Sequence, residues 1–131
     1  MSTEIIVAWE NSHETAFPTS KSVFNLVCDS VGESADRLGH QEVGKLCKWA
    51  KQDGNLLLVD ATSEAKAVFR DLLREALNDG TIIKEILSWP TPHFDASTLL
   101  PENRTPEVIS FICNAAAIGT LRRLTFYLDR V

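Results

Sequence analysis

The stretch from Thr62 to Asp79 constrains the fold of this 131-residue chain more than any other. Ala65, Val68, Phe69, Leu72, Leu73, Ala76 and Leu77 recur at spacings that place them on one stripe of a 3.6-residue helix. Thr62 or Ser63 can cap the open N–H groups of the first turn, and Glu64 sits near the positive end of the helix dipole. Gly80 can take the left-handed conformation that stops the helix. A stripe this sharp needs a core to pack against, so the chain reads as a folded globular domain.

Composition agrees. With 44% apolar and 24% charged residues, the chain has enough Leu, Ile, Val and Phe to offset the entropy of ordering. Its length suits a single domain, residues 1–131, able to bury a core without disulfides or a metal. Cys28, Cys47 and Cys113 are odd in number and follow no framework spacing. No run reaches the ~18 apolar residues of a membrane span, and no basic region precedes the short apolar run near the start. A cytoplasmic chain with reduced thiols is therefore expected.

Along the chain, Ile5–Trp9 is a β-branched apolar run that reads as a buried strand. Phe17-Pro18 reads as a break, after which Thr19 or Ser20 caps a helix with Val23, Phe24, Val27, Cys28 and Val31 on one face. Gly32 is expected to end or bend that helix. A second helix is predicted from about Gln41 to Gln52, with Val43, Leu46, Cys47 and Ala50 inward and Asp53-Gly54 as the turn. Leu56–Val59 is too short for a helix and reads as a second buried strand, able to pair with the first in parallel across the helical crossover. The run Thr81–Leu87 fits a third strand or a helix equally well. Thr105-Pro106-Glu107 starts a long final helix, running to about Leu128, by cap, proline at the first position and acid in the first turn. Its small-sided segment Ala115–Gly119 would allow a close approach of another element. The resulting fold class is α/β and helix-dominated: two or three short strands covered by about four helices, in a single compact domain.

Candidate chemistry is sparse. There is no glycine-rich nucleotide loop, no nucleophile elbow and no pair at zinc-ligand spacing; His40 and Cys47 come nearest. No cofactor or metal is expected. Cys28 and Cys47 lie on apolar stripes, where a free cysteine acts as a small hydrophobe, and Cys113 belongs to an apolar run. His13 follows the first strand in a polar loop with Glu10 and Glu14, a place where α/β folds often hold sites. Trp89-Pro90-Thr91-Pro92-His93-Phe94-Asp95 is a stiff loop with two aromatics, a histidine and an acid, and its rigidity lowers the entropic cost of binding. Arg122, Arg123 and Arg130 form a small basic patch. It reads first as a solvated face near a helix C-terminus, with the acidic body, a dimer partner or phosphate as other counterparts.

The net charge is −5 and unevenly spread. Residues 1–60 carry nine acids against five bases, residues 61–103 seven against four, and residues 104–131 two against four. An acidic body disfavours nucleic acid and favours steering toward a basic partner. The sequence thus points to a small acidic module that occupies another protein, such as an inhibitor, an immunity or antitoxin-like protein, or a secretion-type chaperone. Glu10, Glu14, Trp89, His93 and Asp95 are its candidate contacts. The competing expectation is a small enzyme or enzyme subunit with a site near His13 or His93.

Overall fold

Two hydroxyl side chains start helices where the sequence places them. Ser20 Oγ accepts from the Val23 N–H at 3.3 Å, and Thr62 Oγ1 accepts from the Ala65 N–H at 3.1 Å. These caps come from a computed structural model that describes residues 3–10, 13–88, 100–103 and 105–130. In chain order the elements are β1 (Thr3–Glu10), β2 (His13–Thr19), α1 (Lys21–Leu38), α2 (Gln41–Asp53), β3 (Asn55–Leu57), α3 (Ser63–Asn78), α4 (Thr81–Ser88) and α5 (Pro106–Leu128). Short 3-10 turns occupy Leu58–Asp60 and Pro101–Asn103. The described residues form one helix-dominated α/β unit with a small three-stranded sheet, as the sequence predicts.

The sheet order is β2-β1-β3. β1 runs parallel to β3, with Ile5 opposite Leu56, and antiparallel to β2, with Ile5 opposite Phe17. The parallel pair is the one anticipated for the two apolar runs. The third strand is not the 81–87 run, which forms α4. It is His13–Thr19, which runs through Phe17-Pro18, where the sequence predicts a break. Pro18 is tolerated because β2 is an edge strand, where a missing N–H need not break a ladder bond. Thr3 Oγ1 closes the open end of the hairpin by donating to the Thr19 carbonyl at 2.6 Å.

Gly32 does not end α1, which continues to Leu38 and stops at Gly39 (φ 81°). The reason lies in packing. Val31, Gly32 and Ala35 are all buried, and the missing Gly32 side chain makes room for α2. A Cβ built on Gly32 would lie 3.2 Å from Cys47 Cβ, and one on Gly44 would collide with the Asp36 carboxylate. Asp29 and Lys51 pair at 2.6 Å further along, so α1 and α2 form a closely packed antiparallel hairpin.

α3 supplies the centre of the core. Phe69 and Leu73 are fully buried, alongside Ile5, Phe24, Leu56, Leu58, Ile82, Ile86, Leu121 and Leu124. Burying Phe69 alone contributes on the order of 2–3 kcal/mol of transfer free energy. Polar ties fix the ends of α3. Glu42 on α2 accepts from the Thr62 N–H at 3.2 Å and from the Thr62 hydroxyl at 3.0 Å. At the other end, Asp129 after α5 receives Arg74 at 2.6 Å and lies 3.5 Å from Arg70. The small-sided segment Ala115–Gly119 packs in part, with Ala117 and Ile118 against the core. Ala115 and Ala116 are exposed, and a Cβ on Gly119 would meet nothing within 4 Å.

Candidate functional site

The residues singled out from sequence divide into two groups. Glu10, His13 and Glu14 come together at the closed end of the β1–β2 hairpin, where Glu10 pairs with His13 and Trp9 with Glu14 in the backbone register. This corrects the reading of His13 as part of a loop leading out of a parallel strand: it opens an antiparallel strand. The side chains of these residues lie outside the described ones. Trp89, His93 and Asp95, with the rest of their proline-bracketed segment, also lie outside the described residues.

Cys28 and Cys47 are buried free thiols facing each other across the α1–α2 contact. The Cys47 thiol is pushed far above its ordinary range, first by its hydrogen bond with Cys28 and then by burial. A thiol held protonated and out of solvent is a poor nucleophile, which agrees with a packing role for Cys47, and the burial of Cys28 beside it suits the same role. The Cys113 side chain is not among those described. No cluster of three or more His, Cys, Asp or Glu able to hold a metal occurs among the described residues. No helix among them is long and apolar enough to cross a membrane.

The site that does form lies where α5 crosses the edge strand β2. Leu121, Leu124 and Leu128 bury one face of α5, and Thr125, also buried, turns its hydroxyl back to the Arg122 carbonyl at 2.8 Å. The opposite face carries Arg122 and Phe126 at i and i+4, and Arg130, in the turn just after the helix, completes the line from over the Phe126 ring. Arg123 and Tyr127 flank that line, and Phe17 from β2 meets the Tyr127 ring at 5.8 Å between centroids. Together these six residues line an open groove of about 450 Å³. Phe126 is 64% exposed, and the Arg130 guanidinium lies over one face of its ring at 5.2 Å.

Three guanidiniums within two turns repel one another. On α3 such charges are matched, since Arg70 pairs with Asp71 at 2.9 Å and Arg74 with Asp129 at 2.6 Å. Around the groove they are not: among the described residues Arg122, Arg123 and Arg130 have no carboxylate partner, and Arg123 donates to Thr120 Oγ1 at 3.2 Å. The groove therefore combines a large exposed aromatic surface with uncompensated positive charge. Among the described residues that line it, none is a histidine, cysteine, serine or carboxylate.

A second shallow depression, about 500 Å³, is lined on α3 by Asp71, Arg74, Glu75, Asn78 and Asp79. Asp79 lies below the usual carboxylate range because the Thr81 hydroxyl and N–H both donate to it, an arrangement that serves the start of α4. Trp49 on α2 is exposed by 57% but stands alone, as isolated surface aromatics often do. The sequence reading missed Phe17, Phe126 and Tyr127. The line Arg122–Phe126–Arg130 was the available signal, but it marks a groove only once Phe17 is known to lie beside it. No protein-family model matches the chain, and neither do any curated proteins or solved structures.

Proposed function

We propose that this chain is a protein-binding module that acts by occupying a partner, in the manner of an inhibitor, an immunity protein or an antitoxin-like protein. The observation that carries the reading is the exposed Phe126 set between arginines that have no carboxylate partner among the described residues, in an open groove. Aromatic and arginine side chains are the commonest energetic anchors of protein interfaces. An apolar ring left in water and positive charges left uncompensated both gain from a partner surface. Among the described residues the groove lining offers aromatic and arginine binding groups and no acid–base pair or nucleophile, which favours recognition over catalysis. The acidic balance of the remaining surface would speed encounter with a partner that also carries basic regions.

Affinity capture with the tagged full chain from its own host, followed by mass measurement of the intact complex, tests this reading. One partner at fixed stoichiometry is the expected result. A chain recovered alone or only as a homodimer, together with turnover of a small molecule, would replace it with the enzyme reading and return attention to His13 and His93.

A further inference from the structure

We infer that the α5–β2 groove receives an acidic peptide segment bearing an apolar anchor. This inference rests on the protein-binding reading and names the chemistry of the partner at that one site.

Three features select this occupant. Arg122, Arg123 and Arg130 present planar forks suited to paired hydrogen bonds with carboxylates, and no carboxylate among the described residues meets them. Phe126, with Arg130 over one face and 64% of its surface exposed, offers its free surface to an apolar side chain lying between the charges. The groove, at about 450 Å³, has room for a few side chains. A short acidic segment matches both elements at once. Carboxylates two or more positions apart reach Arg122 and Arg130 at the two ends of the line, and the residue between them lies on Phe126.

Longer polyanions fit less well. The chain as a whole carries −5, so a nucleic acid or an anionic bilayer extending past the groove meets an acidic body. The α3 depression of a second copy is a weaker match, because its acids, Asp71, Glu75 and Asp79, are interspersed with Arg74 and no exposed apolar anchor lines it.

The test is selection of a random twelve-residue peptide library displayed on phage against the folded full chain. Labelled copies of the enriched peptides are then titrated by fluorescence polarisation. The expected peptides place two or more Asp or Glu around an aromatic or aliphatic residue. Their affinity should fall about tenfold or more in Arg123→Glu and in Phe126→Ala, and severalfold as salt rises from roughly 50 to 500 mM. Circular dichroism and melting of both variants control for folding, and Arg122→Lys, which keeps the charge but loses the fork, should give an intermediate loss. Enrichment of neutral or basic peptides overturns the inference, as does binding that survives Arg123→Glu, or no enrichment at all. So does tighter binding of a single-stranded oligonucleotide or of phosphatidylserine vesicles at the same groove. If a partner is captured from the host but binds the groove variants equally well, this inference fails while the protein-binding reading stands.

Discussion

The contact between α1 and α2 makes a quantitative prediction, because it contains two buried helix glycines with different surroundings. Replacing either glycine by alanine in a helix interior gains about 1 kcal/mol of backbone propensity. At Gly44 the new methyl meets the tip of Asp36, an exposed side chain that can rotate into solvent at little cost. At Gly32 it meets Cys47 Cβ at 3.2 Å, an atom fixed to the α2 backbone. Relief there requires α2 as a whole to move, and such overpacking costs roughly 1–3 kcal/mol. Gly44→Ala should therefore be stabilising by up to about 1 kcal/mol, whereas Gly32→Ala should be neutral to destabilising by up to about 2 kcal/mol. Urea titration measures both, read from the midpoint at unchanged slope. Equal stabilisation by the two substitutions would refute the argument and place α2 further from α1 than Cys47 now lies.

The other predictions concern the ties around α3. Thr62→Ala removes both the N-cap of α3 and the donor to Glu42, and should cost about 1–2 kcal/mol; Thr62→Ser should restore most of it, and if the two variants unfold at the same urea concentration the cap is not the cause. Phe69→Ala should cost about 3–5 kcal/mol as a core cavity, a large share of the roughly 5–15 kcal/mol of a typical domain, and a loss under 1 kcal/mol would deny Phe69 its central place. Arg74 holds the Asp129 carboxyl below its ordinary value, chiefly by its hydrogen bond, with the Arg70 charge adding to it. A carboxylate depressed on folding contributes stability above its unfolded pKa of about 3.9 and loses it as pH falls through the lower folded value. Melting temperature followed from about pH 6 down to pH 2.5 should fall less steeply in Asp129→Asn than in the parent chain, and parallel curves would show that this tie does not contribute.

Much of the fold was legible because local signals and tertiary packing agree. The stripe from Ala65 to Leu77 gave α3 within a residue of its observed bounds, and the Ser20 cap and the Pro106 start placed the beginnings of α1 and α5. The Ile5 and Leu56 runs were parallel neighbours as expected. The errors arose where tertiary context overrode a local signal. Pro18 breaks a central strand but not an edge strand, so β2 was missed. Gly32 weakens an isolated helix, yet here it is the residue that lets α2 approach. Thr81–Leu87 carried both periods, and the turn at Asp79, whose carboxylate accepts from the Thr81 N–H at 2.8 Å, settles it as a helix start.

The site was less legible, because it joins elements far apart in sequence. Phe17 and Tyr127 are separated by more than a hundred residues, and their contact depends on the missed strand. The arginines were noticed, but a helix face near a C-terminus favours basic residues for local reasons as well. What sets these three apart is the absence of a carboxylate partner among the described residues, and that property belongs to the folded surface.

The most direct test of the central claim is capture from the host with the wild-type chain and the Arg123→Glu/Phe126→Ala double variant side by side, each confirmed folded. The account predicts one stoichiometric partner on the wild type and its loss from the double variant. A partner retained equally by both chains would place the interface elsewhere and contradict the assignment of the α5–β2 groove.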